Sequence, residues 1–406
     1  MVRAIALVIT SAFVVGACSS IPAATTTRPV ETTTRPVETT AAASTTTAPT
    51  TTTTTPPPTV RLYLSGVPEP LAELVGDLYI EAHTSSSPPL DLPPGLDTLV
   101  ENLDPGEGRL TIRAAAGLGE ILETPIAVIT AGDDVILAVA DPTWRIVGAK
   151  LARFGLPASY GSEPKFLLVV GSDARPGENP LRSRADSLHI VAMVPSSGAE
   201  TIVGIPRDSY VTTPDGLTDK FTSVLSRRGV DTLLATAREL TSLPIDGYVL
   251  TGFEGFTGLV DDLGGIVLDV PFAMADRASQ AFFQPGEQML DGAAALAFSR
   301  NRHLRGGDFT RSHDQGLVML AGLRAVRLLG IRRLPASLEL LTDHTTTDLD
   351  AAALLTMGAT IYESGPVSNV VADGVPDRVN GSSIVRLTDD ALATFQDLAD
   401  GTLESP

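Results

Sequence analysis

Five apolar residues in a row, Phe166-Leu167-Leu168-Val169-Val170, run straight into Gly171-Ser172-Asp173. A strand with one wet face alternates apolar and polar side chains, so an unbroken run needs cover on both faces. This one is too short for an ordinary helix and is bounded by turn formers, which makes it a central strand. The sequence after it supplies the cover. Ser187–Val194, Thr201–Ile205, Tyr248–Leu250 and Ile266–Val270 read as strands. Val230–Leu240, Phe253–Leu263 and Thr310–Leu328 read as helices, the second of them stopped by Gly264-Gly265. The alternation predicts an α/β fold over residues 165–401, a sheet with helices on both faces.

Three segments of different texture precede it. Residues 1–18 read as a lipoprotein signal peptide. Arg3 is followed by the apolar run Ala4–Ala17, which is too short for a comfortable membrane span and ends in Val15-Gly16-Ala17-Cys18. That ending resembles a bacterial lipobox, with Cys18 as the lipidated residue and a lipid anchor on the extracytoplasmic face as the consequence. The plainer alternative is an ordinary secretory signal with an incidental cysteine. Cys18 is the chain's single cysteine, so no internal disulfide forms. Residues 19–59, almost all Thr, Pro, Ala and Ser, carry Thr-Arg-Pro-Val-Glu-Thr twice and build no core. As a tether they reach on the order of 100 Å from the membrane at about 3.1 Å per residue. Residues 60–160 read as a smaller α+β accessory domain. It has a strand at Val60–Leu64, a helix at Pro70–Glu81, a Pro-rich loop at Pro88–Gly95, and a hairpin of Ile126–Thr130 with Val135–Ala140. No catalytic constellation stands out in it, and His83 reads as a solvated polar residue.

The net charge of −19 excludes a general nucleic-acid binder, which needs a basic footprint. Against that background, arginines gathered at strand ends are informative, because ligand crevices of α/β sheets form there. Gly171-Ser172-Asp173-Ala174-Arg175 follows the central strand, Arg184-Ala185-Asp186-Ser187 opens the next, and Ile205-Pro206-Arg207-Asp208 closes the third. Asp173 and Asp186 offer the one or two carboxylates that a phosphate-bound magnesium needs. Taken alone, two turn-capping aspartates are the simpler reading. Farther on, Ser299-Arg300-Asn301-Arg302 follows a short helix at Gly292–Phe298. Arg300 and Arg302 share a face only if this piece is extended. Asp308 is placed to cap a new helix on which positions 308, 311 and 315 share one face, while His313 and Asp314 lie off it. The alternative is a solvated helix with surface salt bridges. Together the arginines suit a pyrophosphate, whose oxygens match guanidinium forks.

This ordered set resembles the LytR-CpsA-Psr family from about Phe166 to Leu328, and less clearly to Gly401. The markers are the motifs above with Lys220, Val260-Asp261-Asp262-Leu263-Gly264-Gly265, Leu290–Leu296, and Arg300-Asn301-Arg302 through Asp308, Arg311 and Gln315. The resemblance implies a central mixed β-sheet flanked by helices, enclosing an apolar tunnel for a polyprenyl chain. It implies an enzyme that moves a phosphorylated glycopolymer from a polyprenyl-pyrophosphate carrier to peptidoglycan with magnesium, or manganese in its place. Carried over by position, Asp173 and Asp186 hold the metal, and Arg184, Arg207, Arg300, Arg302, Arg311 and Gln315 bind the pyrophosphate. Arg207, Arg302 and Asp308 are the catalytic set, with Asp308 orienting an arginine or assisting deprotonation of the acceptor. Departures from the family pattern are Ser187 in place of threonine, Phe221-Thr222 after Lys220, and His313-Asp314 where the stretch before Gln315 is typically more basic. Two alternatives stand beside the transferase: a polyprenyl-pyrophosphate hydrolase using water as acceptor, and a non-catalytic lipoprotein that binds lipid or polymer.

Overall fold

The computed structural model describes residues 58–84, 90–301, 305–363, 365 and 367–403. The signal peptide, Cys18 and nearly all of the tether lie outside the described residues, as does Arg302. In chain order the first elements are β1 (Thr59–Tyr63), α1 (Glu69–Thr84), α2 (Leu96–Glu101), β2 (Arg109–Arg113), β3 (Ala115–Ile121), β4 (Thr124–Ala131), β5 (Asp134–Ala140), β6 (Trp144–Lys150) and β7 (Ala158–Ser159). Then come β8 (Lys165–Ser172), β9 (Ala185–Val194), β10 (Ala199–Gly204), β11 (Tyr210–Thr212), β12 (Thr218–Lys220), α3 (Phe221–Arg228), α4 (Val230–Thr241), β13 (Gly247–Thr251) and α5 (Phe253–Asp262). The rest are β14 (Ile266–Val270), β15 (Met274–Asp276), β16 (Ala281–Phe283), β17 (Gly286–Leu290), α6 (Gly292–Ser299), α7 (Asp308–Leu329), α8 (Leu334–His344), β18 (Thr346–Thr347), α9 (Ala351–Thr360), β19 (Val367–Val371), β20 (Gly374–Val379), β21 (Ser382–Leu387) and α10 (Asp389–Asp397).

Among the described residues the largest sheet runs β18-β13-β8-β9-β10-β19. It is mixed: β8 is parallel to β13 and antiparallel to β9, and β10 is parallel to β19. β8 lies inside it and is covered twice, which is why its sequence is continuously apolar. Phe166, Leu168 and Val170 pack against α3, α4 and α10 through Phe221, Leu233 and Phe395. Leu167 and Val169 face a second core with Leu338 of α8 and Leu355 of α9. Ile266–Val270 is a strand, but β14 pairs with β17 in a separate hairpin rather than extending the main sheet. Its alternating burial explains this, for only Ile266, Leu268 and Val270 are buried. A strand with a single covered face suits a hairpin laid against a helix.

The 60–160 region contains a five-stranded antiparallel sheet in the order β3-β4-β5-β6-β7. One face packs on α1 and α2, with Ala127 and Ile129 of β4 among Leu71, Leu78 and Leu96. The other face sends Ile126 and Val128 into the core that also holds α8, α9 and Val191 of the main sheet. Both faces are therefore covered along β4 and β5. His83 departs from the sequence expectation: it is 7% exposed, its Nε2 lies 3.4 Å from the Gly108 carbonyl, and the chain at Gly106 closes over its ring. Its place at the end of α1, where a loop folds back, buries it.

Candidate functional site

The strand ends singled out in the sequence meet at one edge of the main sheet. β8 stops at Ser172 beside the start of β9, Gly204 ends β10 opposite His189, and Thr251 ends β13 opposite Gly171. The β8–β9 pairing slips there: Gly171 faces Ser187, whereas Ser172 faces Ala185. Asp186 is the extra residue of this bulge, and a bulge re-aims side chains that regular pleating would send apart. Ala185 falls in with Leu188 and Ile190 on the α3–α4 side. Asp186 and Ser187 both line a cleft on the other side.

The cleft has a volume of about 120 Å³. Its walls are apolar: Val169 from β8, Phe253 and Phe256 from α5, Leu296 from α6, and Val318 and Met319 from α7. Its polar lining includes Asp186, Ser187, Arg300, Arg311 and Gln315, with the hydroxyls of Ser172, Thr251 and Ser299. A chain of charges extends from it. Arg207, on the turn after β10, donates from Nη1 to Asp186 Oδ1 at 2.6 Å, and its Nε stands 3.7 Å from Asp308 Oδ1. Asp308 also accepts from Arg311 Nη2, and from the Asp208 amide at 3.4 Å. Lys220 Nζ sits 3.3 Å from Asp208. The turn is fastened by Thr222 N–H on the Arg207 carbonyl (2.9 Å) and Ser209 Oγ on the Pro206 carbonyl (2.6 Å). A guanidinium has five N–H donors, so a carboxylate on one nitrogen orients the fork without exhausting it.

Asp308 does not cap α7. It is the helix's first residue, Gly307 precedes it at φ 60°, and no side chain caps the end. A charge-assisted bond to Arg311, with the Arg207 guanidinium close by, is stronger than one bond to a helix amide. Arg300 ends α6 at φ −104°, ψ 1°, so it is not extended, and its guanidinium carbon lies 4.5 Å from the Phe253 ring centroid. Gln315 Nε2 reaches the Asp186 carbonyl at 3.4 Å and the Ser299 carbonyl at 3.3 Å, tying α7 to β9 and α6. The structure thus gathers Arg207, Arg300, Arg311, Gln315 and Asp308 around Asp186. It does not bring Arg184 or Asp173 into the cleft wall. Arg184 is exposed. Its amide donates to Asp173 Oδ1 at 2.8 Å, and its carbonyl accepts the Asp173 amide at 2.9 Å. Asp173 thereby closes the intervening loop, the turn-closing use that its sequence context also allowed.

This arrangement carries a recognised sequence signature, for the profile of the LytR_cpsA_psr family matches residues 153–400, more than half of the chain. The protein belongs to the LytR-CpsA-Psr family. It is 36% identical over 165 residues to the polyisoprenyl-teichoic acid–peptidoglycan teichoic acid transferase TagU of Bacillus mycoides, covering 40% of this chain and 53% of that protein. It is 33% identical over 149 residues to the corresponding transferase TagV of Bacillus subtilis, covering 34% of this chain and 38% of that protein. The crystal structure of B. subtilis TagV is similar at a TM-score of 0.51 and 25% identity, covering 60% of this chain and 98% of that one. The chain spans about half the length, or less, of these curated relatives.

Within this LytR-CpsA-Psr domain the sequence reading missed His189. The ring is fully buried, which pushes its pKa down to about 4 and keeps it neutral. Its Nε2 lies 2.9 Å from the Ser312 carbonyl, which only accepts, so Nε2 carries the proton. Nδ1 then accepts from the Ser187 hydroxyl at 3.1 Å. The Ser187 proton is committed to the interior while its oxygen borders the cleft. Gly204 permits this arrangement, because a Cβ there would stand 2.3 Å from Ser312 Oγ and 3.2 Å from His189 Nε2. Polar residues two apart in an otherwise apolar strand were the available signal.

Asp314 is the other anomaly of the domain. It is 1% exposed, neither carboxylate oxygen has a hydrogen-bond partner, and burial pushes its pKa up to about 7. It lies off the face of Arg311 and Gln315, one turn before Val318 in the core formed by α6, α7 and the β14–β17 hairpin.

Among the described residues no group of three or more His, Cys, Asp or Glu side chains is arranged to hold a metal. A phosphate-bound magnesium asks less of the protein, one or two carboxylates with phosphate and water completing the octahedron. Asp186 at the cleft offers one such carboxylate, with one oxygen already accepting from Arg207, whereas Asp173 lies outside the cleft wall with one oxygen accepting from the Arg184 amide. No helix among the described residues is long and apolar enough to cross a membrane.

Proposed function

We propose that this protein transfers a phosphorylated glycopolymer from a polyisoprenyl-pyrophosphate carrier to peptidoglycan, at the extracytoplasmic face and held there by a lipid on Cys18. The observation that carries the reading is the linked row Asp186–Arg207–Asp308–Arg311 beside an otherwise apolar cleft. A polar head with two phosphates suits the row, and the first part of an isoprenoid chain suits Phe256, Leu296, Val318 and Met319. The names of the relatives TagU and TagV, polyisoprenyl-teichoic acid–peptidoglycan teichoic acid transferases, describe the same pairing of lipid carrier and wall acceptor.

In this reading an acceptor hydroxyl attacks the sugar-bearing phosphorus. The phosphorus–oxygen bond to the lipid phosphate breaks, the lipid phosphate leaves with the negative charge, and the acceptor's proton passes by way of the Asp308 carboxylate to solvent. Arg207 and Arg311 bind the pyrophosphate oxygens, and Arg300, steadied on Phe253, adds a third fork. Asp308 sets the angle between Arg207 and Arg311. Such preoriented donors lower the barrier because they need no rearrangement as charge develops. Magnesium, or manganese, would be held by Asp186 with phosphate and water completing its shell, and when bound it would supply neutralising charge to the pyrophosphate.

The test is incubation of the purified protein with a polyprenyl-pyrophosphate glycan, magnesium and peptidoglycan oligomers. Glycan phosphate attached to the oligomers is the expected product. Free phosphorylated sugar alone would replace this reading with a hydrolase, and carrier that is bound but never turned over would replace it with a binding protein.

A further inference from the structure

A second concave surface lies at the far end of α7. It is an open cleft of about 1010 Å³ between the outer strand β3 and the turn joining α7 to α8. Its floor is made of small residues, Ala114–Gly117, and its rim carries Arg113, Arg332 and Arg333. The turn is locked to the strand, because the Arg332 carbonyl approaches to 1.9 Å of where a Cβ on Gly117 would stand. Among the described residues β3 has no strand partner on its outer edge.

Seven arginines of this acidic chain are neutralised at close range, and those at this cleft are not among them. Arg153, Arg207, Arg227, Arg228, Arg311, Arg327 and Arg386 each sit against a carboxylate. Arg113, Arg332 and Arg333 have no carboxylate partner among the described residues, although acidic residues number 48 against 29 basic ones. All three are exposed and line the same cleft, and Arg113 is steadied 5.0 Å over the Tyr63 ring. Unpaired guanidiniums around a concavity leave their forks available for phosphate oxygens. The concave shape favours a linear polymer. A lipid surface is flat and would meet a protruding patch instead.

We propose that this cleft is a second binding site for the body of a phosphodiester-linked, polyanionic glycan. The inference rests on the proposed function in one respect, that the polymer held here is the one being transferred. The 22 residues of α7 separate the two sites by roughly 30 Å at 1.5 Å per residue, so an extended polymer would span them. Holding the chain at a distance raises the effective concentration of its reactive end at Asp186 and Arg207.

The test uses the full-length protein in detergent and a fluorescent poly(glycerol phosphate) oligomer, with neutral dextran and phosphatidylglycerol-containing vesicles as comparison probes. The double variant Arg332→Ala/Arg333→Ala, and separately Arg113→Gln, should weaken oligomer binding at least tenfold at low salt. Dextran binding should be weak throughout. Arg207→Ala should keep most of the affinity that the double variant loses. Equal oligomer affinity in wild type and in both cleft variants overturns the proposal. So does a loss confined to vesicle binding, which would make the patch a membrane contact. The two readings fail separately: a protein that binds oligomer through the cleft but transfers nothing refutes only the transferase. A protein that transfers glycan but binds oligomer without Arg113, Arg332 and Arg333 refutes only the second site.

Discussion

Replacing Asp314 by asparagine should stabilise the protein, by an amount that grows as the solution becomes more alkaline. The side chain is buried on α7 with both oxygens unbonded, and burial lifts its pKa from 3.8 to about 7. Between those values the folded protein keeps a proton that the unfolded chain has released. Stability therefore falls as pH rises from about 3.8 through about 7, the reverse of a salt-bridged aspartate. At about 1.4 kcal/mol per pH unit the full loss is about 4 kcal/mol above pH 7, and about 2 kcal/mol of it is present at pH 5. Asparagine keeps the shape and cannot ionise. Its own unbonded amide costs about the same at every pH, so it cancels when two pH values are compared. The measurement is urea unfolding of both proteins at pH 5 and pH 8, followed by circular dichroism. The other titratable group in reach is His313, whose Nδ1 lies 3.8 Å from Asp314 Oδ1, and the same pair on a His313→Gln background removes it. A stability difference that does not change between pH 5 and pH 8 would refute the reasoning.

Arg207→Ala should lower kcat/KM for glycan transfer about a hundredfold, the effect of losing about 3 kcal/mol from one preoriented donor. Arg207→Lys should recover only a fraction, because an ammonium does not reproduce the fork. Asp308→Asn should reduce transfer and also lower stability by about 1–3 kcal/mol, since Arg207 and Arg311 then face each other without the anion between them, as thermal unfolding would register. For His189 the folded pKa of about 4 lies below its ordinary 6.5, so the unfolded chain binds the extra proton and stability falls as pH drops from 6.5 towards 4. His189→Leu should remove about 3 kcal/mol of that acid sensitivity, visible as a flatter stability–pH curve below pH 6.5.

Much of the fold was legible because strand and helix periods are local. The run Phe166–Val170 demanded cover on two faces and lies within the main sheet between two cores. The three- and four-residue steps from Asp308 to Arg311 and Gln315 put them on one side of α7 before any partner was known, and Arg311 and Gln315 do border the cleft. The site itself needed tertiary structure, because its decisive features are choices between distant surfaces. One slipped register turns Asp186 towards the cleft. A glycine in β10 lets α7 approach closely enough for His189 to reach a carbonyl 123 residues away, and this fixes Ser187. Asp308 pairs with Arg207 and Arg311 instead of capping its helix, and Asp173 joins a backbone amide instead of the cleft. Sequence determined which residues share a face, through dihedral periods that each segment carries within itself. Which faces meet, and so which charges pair, depended on packing across the whole chain.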